Sequence, residues 1–457
     1  MGRDDYGSFT NRRNQSRRNG PDFGRSGRRR KQSRLPGFLI VLFLSVVLGL
    51  TAYRIADVRL NEKMKKPNKQ TEVTPKPTET AVKPQPTAGL TETFAESEKY
   101  PDGVLTGFVD TRKRVKVKGI YVNTAFLGRK NGNSHYPTID ELIELCDTTE
   151  LNAMVIDVKD DTGYILYNTQ NERIRNAKGV SSYIADLPAF VAKLKEHGIY
   201  CIARVVTFKD MVMTKANPNM AVKNKDGSIF VDGDGSAWLN PYDESVRQYL
   251  MDIAEEVSNA GFDEIQFDYL RLSSSSKLDS ADFGPIPEGM TKIDAVTEFV
   301  KYACEKLKRK GVFVSGDVFG TIINSVGDGE RIGQNYVTLS RYLDYICPMT
   351  YPSHYALNYG GLKYPDKKPF QLLLMEMRSS QKKLSVIEEG YHKAEVRPWL
   401  QDFTASYLGG NSYMVYGPKE VRAQISAVYS AGYEEWLLWN AVMSFSKDGL
   451  LRDKDGL

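Results

Sequence analysis

One pattern recurs four times along this chain: a helical stretch, a glycine, then a short apolar run with strand character. It stands at Gly198 (IYCIARVVTF), Gly261 (FDEIQFDYLR), Gly311 (VFVSGDVFG) and Gly432 (YEEWLLWNA). Glycine just past a helix end supplies the left-handed cap that turns the chain back sharply. A strand after every helix then forces right-handed parallel crossovers, and a parallel sheet needs helices packed over it. The chain is thereby restricted to α/β architectures. Two of these strands end on a carboxylate, Asp268 and Asp317, at the end where such folds place their chemistry.

Strand patterns can be counted from Val117 to Ala441. They fall at 117–123, 152–158, 199–205, 263–269, 312–318, 343–351, 396–403 and 434–440. Helical patterns with apolar residues recurring at three and four stand between them: ELIELCDTTE, LPAFVAKLKEHG, DESVRQYLMDIAEEVSNAG, TKIDAVTEFVKYACEKLKRKG and KEVRAQISAVYSAG. Eight is the number of a (β/α)8 TIM barrel. A doubly wound open sheet would use similar units, but no Gly-x-Gly-x-x-Gly follows the first strand and no phosphate-binding loop occurs. The fold expected over 100–457 is therefore the barrel.

Alternation sets the direction of each strand's side chains. In DEIQFDY, Ile265 and Phe267 share one face and Gln266 and Asp268 the other; in VFVSGDV, Val312, Val314 and Val318 oppose Phe313, Ser315 and Asp317. Asp157 likewise opposes Met154, Ile156 and Val158. In the last strand Asn440 opposes Leu437 and Trp439, which makes Trp439 an outward core residue. The polar faces are expected to point into the barrel mouth.

Charge divides the chain in two. Residues 1–36 hold eleven Lys/Arg against three acids, a net +8 within a chain whose total is +5, so the remainder carries −3. Nucleic-acid binding by this tail is the less favoured reading, because the next segment accounts for the charge. Gly37–Tyr53 (GFLIVLFLSVVLGLTAY) is seventeen residues without a charge behind a basic flank, the layout of a transmembrane signal-anchor with its N-terminus in the cytoplasm. A cleaved signal peptide is the alternative, since small residues such as Gly49 and Ala52 sit near the end of the run. Residues 54–99 are rich in Pro, Thr and Lys and hold too few large apolar side chains to bury a core, so they read as a disordered stalk. The barrel is then expected outside the cell, held to the membrane by its N-terminal helix.

Cys146, Cys201, Cys304 and Cys347 are scattered singly, without CxxC or Cys/His ligand spacing, and are expected to be buried free thiols. No metal or cofactor is expected.

The stretch from Thr149 to Gly163 (TELNAMVIDVKDDTG), with KGIYVN before it and FDEIQFDYLR, GDVFG and CPMTYPSHY after it, resembles a bacterial family of inferred glycoside hydrolase domains. That family is distantly similar to α-amylase-type barrels, and the resemblance covers roughly 117–445. It implies a barrel enzyme that cleaves glycosidic bonds in a polysaccharide. On the amylase pattern Asp268 matches the fourth-strand nucleophile and Asp402 the third acid. Gln266, however, stands where an Arg normally precedes the nucleophile by two, and the fifth-strand acid is Asp317 instead of Glu. No Asn-His-Asp or Asp-x-x-x-x-His accompanies them.

The chemistry needs two carboxyls flanking the scissile bond, about 5 Å apart for retention and about 6.5–9.5 Å for inversion. Asp268 and Asp317 on adjacent strands are the expected catalytic pair, with strand spacing tilting toward retention, Asp268 as nucleophile and Asp317 as acid/base. The structural alternative makes one of them a salt-bridge partner, for example Asp268 with Arg271 or Arg204. Asp157, Asp160 and Asp161 form a second acid group, read equally as functional, with one of them the acid/base, a substrate contact to a sugar hydroxyl or part of a cation site, or as an Asx-rich turn closed by Gly163; Lys159 is expected to lower their pKa values. Arg271, Tyr351, His354, Asp402 and Asn440 complete the expected substrate-binding set, with Tyr351 and His354 exposed on a Pro-flanked loop. A polysaccharide deacetylase is disfavoured because no His-x-x-x-His pair occurs. A surface barrel that binds glycan without cleaving it remains the main alternative.

Overall fold

The computed structural model describes residues 100–131 and 134–451. The basic tail (1–36), the apolar run (37–53) and the stalk (54–99) lie outside the described residues. Among the described residues no helix is long and apolar enough to cross a membrane.

Eight parallel strands close on themselves. They are β1 (Lys118–Val122), β2 (Ala153–Lys159), β3 (Tyr200–Val206), β4 (Glu264–Asp268), β5 (Phe313–Phe319), β6 (Tyr345–Met349), β7 (Trp399–Gln401) and β8 (Trp436–Trp439). Each pairs with the next in order, and β8 returns to β1 with Lys118, Gly119 and Ile120 opposite Trp436, Leu437 and Leu438. That closing ladder excludes the open sheet. The expected seventh strand is interrupted: Glu395–Val396 pairs with β6 and the chain resumes as β7. Pro398 stands between them and cannot donate to a ladder.

Long helices α1 (Ile139–Asp147), α2 (Leu187–Glu196), α3 (Glu244–Asn259), α4 (Lys292–Lys308), α5 (Pro369–Leu384) and α6 (Pro418–Ser430) lie in the connections. Their starts are written in the sequence. Thr138 and Thr291 form capping boxes with Glu141 and Asp294, while Asp186 and Asp243 cap α2 and α3 through their carboxylates. The caps end where expected, with Gly198, Gly261, Gly311 and Gly432 all at positive φ, between 69° and 99°. None of the helical patterns above anticipates α5, which starts on Pro369 with no side-chain cap. Between β5 and β6 two short helices, Val326–Ile332 and Tyr336–Ser340, take the place of one long one.

The strands separate two apolar layers. Ile265, Phe267, Val314, Val318 and Ile346 face outward against the helices, where Phe299 of α4 meets Phe208 and Phe267 edge-on at 5.4 and 5.0 Å. Burying each such side chain contributes roughly 2–3 kcal/mol. Tyr121, Val155, Ile202, Phe313, Tyr345, Cys347, Trp399 and Leu437 fill the interior. The lower end is sealed by charge in pairs: Arg397 binds Glu264 and Glu435, and Arg112 binds Asp110 and Asp344 while lying 4.3 Å over the Phe313 ring. All four cysteines are buried free thiols.

The phase expected for the last strand is reversed. Trp436 and Leu438 face the helices, whereas Leu437 and partly buried Trp439 belong to the interior. Every residue of WLLW is apolar, so alternation carries no signal there, and the tie is decided by the β1 ladder.

Candidate active site

Four consecutive strands bring four ionisable side chains to the upper end of the interior: Asp157 from β2, Arg204 from β3, Asp268 from β4 and Asp317 from β5. Asp157 is in register with Arg204, and Asp268 and Asp317 stand one step beyond the paired Phe267 and Gly316. All four are buried. Arg204 joins two of the acids. Its Nη1 donates to Asp157 Oδ1 at 2.5 Å, and its Nε and Nη2 donate to Asp268 Oδ2 at 2.9 and 2.5 Å.

Each acid has a further partner. Tyr121 OH donates to Asp157 Oδ2 at 2.5 Å, the Tyr269 amide to Asp268 Oδ1 at 2.5 Å, and Trp399 Nε1 to Asp317 Oδ1 at 2.7 Å. Tyr269 adopts a left-handed φ of +47°, a conformation that costs a non-glycine residue about 1–2 kcal/mol. The strain sits immediately after the candidate nucleophile, where the Asp268 carboxylate accepts the turned amide.

Three carboxyls face one guanidinium, so one of them keeps its proton most easily. Burial, reinforced by the neighbouring Asp268 charge, pushes the Asp317 carboxyl well above the usual carboxylate range despite the Trp399 hydrogen bond. Burial pushes Asp157 up to about 6, against the pull of Arg204 and Tyr121. Arg204 itself stays charged: burial opposes its charge, but the Asp157 and Asp268 carboxylates outweigh it. Asp268, ion-paired with Arg204, and Asp317, disposed to hold a proton, thus differ in the sense that separates a nucleophile from an acid.

Aromatic faces surround this cluster. Tyr121 stacks on Trp439 with ring centroids 4.0 Å apart, and Trp399 meets Trp439 edge-on at 5.6 Å. The Arg204 guanidinium lies 5.5 Å from both the Tyr121 and the Trp439 rings. Trp439 is therefore part of the mouth and not of the outer core. Tyr351 is buried, not exposed, and meets Phe403 at 6.0 Å and the exposed His354 at 5.1 Å.

The remaining expected site residues fall elsewhere. Asp160 Oδ1 accepts the backbone amides of Thr162, Gly163 and Tyr164 at 3.0, 2.9 and 2.8 Å, which makes it the head of an Asx turn. Asp161 is exposed, 3.5 Å from Lys209. Lys159 pulls only on Asp160, and weakly: it is fully buried, bridging Asp210 at 3.0 Å and donating to the Val206 carbonyl at 2.7 Å. Burial outweighs it, and Asp157 and Asp160 are both raised, contrary to expectation. Asp402 spends both oxygens on Ser446, and Asn440 donates to the carbonyls of Asp402 and Ser444. These two tie the segment after β8 to β7. Arg271 lies against Trp238, Tyr269 and Phe319, and the ion-pair partner of Asp268 is Arg204.

Arg204, Tyr121 and Trp399 were open to the same phase argument that found Asp157. In IYCIARV, Cys201, Ala203 and Val205 face the helices, so Arg204 must face in. Among the described residues no group of three or more His, Cys, Asp or Glu side chains is disposed to hold a metal ion.

A family model described as "Putative glycosyl hydrolase domain" matches residues 119–445. No curated protein matches the chain. Among solved structures, a hypothetical protein from Ruminiclostridium thermocellum is 32% identical over 44% of this chain and 97% of that one, with a TM-score of 0.38. The PgaB (BpsB) glycoside hydrolase domain from Bordetella bronchiseptica is 13% identical over 72% of this chain and 94% of that one, with a TM-score of 0.52, a likeness of fold. A noncanonic maltogenic α-amylase, AmyB, from Thermotoga neapolitana is 11% identical over 71% of this chain and 67% of that one, with a TM-score of 0.42. With the family model spanning the closed barrel and its four-residue cluster, the chain belongs to this family of glycosyl hydrolase domains.

Proposed function

We propose that this chain is a membrane-anchored, extracellular glycoside hydrolase that cleaves O-glycosidic bonds in a cell-surface or cell-wall polysaccharide with two carboxyls. The observation that carries the reading is the unequal pair on β4 and β5: Asp268 paired with Arg204, and Asp317 buried beside it and pushed toward its protonated form. Asp317 would protonate the leaving oxygen while Asp268 attacks the anomeric carbon. Water would then displace the sugar from Asp268, with Asp317 taking the proton back. Arg204 would hold the attacking carboxylate in place, and Trp439 and Tyr121 would offer a stacked face to a pyranose ring. Cleavage of this kind needs no metal.

The test is incubation of the full chain in detergent with assorted bacterial cell-wall and exopolysaccharide glycans, read by reducing-end detection. New reducing ends that depend on Asp268 support the reading; none from any glycan contradicts it. One observation favours a second reading: Asp268 and Asp317 are each buried and hydrogen-bonded within the protein, as they would be in a barrel that binds glycan without cutting it. Such a barrel would keep its glycan affinity after both acids are changed to Asn and would never have released reducing ends. Membrane anchoring rests on the uncharged run at Gly37–Tyr53 behind eleven basic residues. Protease shaving of intact cells is expected to release a barrel-sized fragment, and a protected barrel would contradict that topology.

A further inference from the structure

Three arginines described above are each matched to two carboxylates: Arg112 to Asp110 and Asp344, Arg204 to Asp157 and Asp268, Arg397 to Glu264 and Glu435. Arg271 is not. Among the described residues no carboxylate forms an ion pair with it, and its one protein acceptor is the Leu272 carbonyl, 2.9 Å from Nη1. Its guanidinium is instead held on aromatic faces from the ends of β4 and β5 and from the connection between β3 and α3, 5.1 Å from the Tyr269 ring, 4.4 Å from Phe319 and 5.2 Å from Trp238. Stacking of this kind fixes the plane of a guanidinium while leaving the N–H donors along its edge unspent. Arg271 as a whole is half-buried.

The place is the barrel mouth. Arg271 follows Asp268 by three residues, and the left-handed Tyr269 between them carries the ring on which it rests. The other cation on that ring, Lys209, lies 4.9 Å from it and is already matched by Asp161 at 3.5 Å and Asp234 at 3.6 Å. Arg271 therefore stands beside the candidate nucleophile as an oriented positive fork with no direct ion-pair partner among the described residues, although Asp268, Asp232 and Asp234 act on it through space.

Resting on the hydrolase reading of this mouth, we infer that Arg271 is a specificity-determining residue that takes the carboxylate of an acidic sugar, so that the substrate class is an anionic, carboxylate-bearing glycan. A planar fork of donors pairs with a carboxylate through two parallel hydrogen bonds. A phosphate would bring up to two negative charges to a place where Asp268, Asp232 and Asp234 already act on the guanidinium, whereas a carboxylate brings one.

The experiment is a binding comparison on the full chain. The probes are polygalacturonate oligosaccharides and peptide-free peptidoglycan strands, each beside its carbodiimide-activated, borohydride-reduced counterpart in which the carboxylates have become alcohols. Wild type is expected to prefer the carboxylate form of at least one pair by about 10- to 100-fold, the range of a charge-assisted hydrogen-bonded pair. Arg271→Gln should erase that preference and leave affinity for the reduced form within about twofold. Arg271→Lys, which keeps the charge and loses the fork, should retain part of it, and equal thermal melting of all three chains would confirm intact folds. Equal binding of both members of every pair by wild type, or an undiminished preference in Arg271→Gln, would overturn the assignment. Because the readout is binding, a chain that prefers carboxylate forms yet releases no reducing ends would defeat the hydrolase reading and support the subsite.

Discussion

Replacing Arg204 by Met is the perturbation whose cost the structure defines most closely. The guanidinium is buried and carries three of the hydrogen bonds that Asp157 and Asp268 receive. Removing one partner of a buried ion pair costs about 3–5 kcal/mol, because the remaining charge is stranded in a poorly solvated interior. Here two carboxylates are stranded. Their escape is to take up protons, so the penalty must depend on pH. With Arg204 present Asp157 already titrates at about 6, above the value of about 3.9 for an unfolded aspartate. A carboxyl raised in this way favours folding at low pH, and that contribution is lost as pH rises through its folded pKa. Loss of Arg204 raises Asp157 further, because the guanidinium's pull on it is gone, and widens the window. The deficit of Arg204→Met should therefore be smallest near pH 5 and approach about 3–5 kcal/mol at pH 8. Adding Asp157→Asn removes one stranded charge and should recover roughly 1–3 kcal/mol at pH 8. Urea unfolding followed by tryptophan fluorescence at the two pH values measures all of this. A deficit below about 1 kcal/mol, or one equal at pH 5 and pH 8, would refute the claim that Arg204 neutralises both acids.

Other consequences are as direct. Asp317→Asn should remove the basic limb of the activity–pH profile, because the group is active while protonated and wild-type activity is lost as pH rises through its raised pKa; the loss should be milder on substrates with good leaving groups, and an unchanged basic limb would reassign the acid. Gly163→Ala should cost about 2–4 kcal/mol in denaturant unfolding, since its φ is +109° and a Cβ would lie 2.1 Å from Asp210 Oδ1; a loss under about 1 kcal/mol would show that the Asp160 turn relaxes freely. Turnover should survive chelation by EDTA, because the two-carboxyl route uses no ion, and complete loss reversed by added metal would bring Asp157, Asp160 and Asp161 forward as ligands.

Where the sequence was legible, a single physical constraint dominated. Glycines at helix ends and period-two alternation in β2 to β5 placed the strands within a residue or two and turned Asp157, Asp268 and Asp317 inward. Legibility failed where that constraint was silent. The all-apolar WLLW of β8 has no alternation, and Trp439 took its direction from the register of β8 with β1 and β7. Lys159 was misjudged because its partner, Asp210, is fifty-one positions away in a connection that no local pattern describes. The acid cluster after β2 was ambiguous between turn and site, and the three amides on Asp160 Oδ1 decide for the turn. Arg204 was open to the alternation argument yet stood only as a possible salt-bridge partner, since no spacing rule links a cation on one strand to acids on its two neighbours.

The central claim is that Asp268 and Asp317 have unequal roles in one cleavage reaction. Its most direct test is the turnover of Asp268→Asn, in the full chain, on whichever glycan wild type cleaves, with glycan binding measured alongside. Asn keeps the shape of Asp and its place beside Arg204 but removes the attacking charge, so turnover should fall below detection while glycan affinity and thermal melting persist. Turnover of Asp268→Asn near that of wild type would contradict the account.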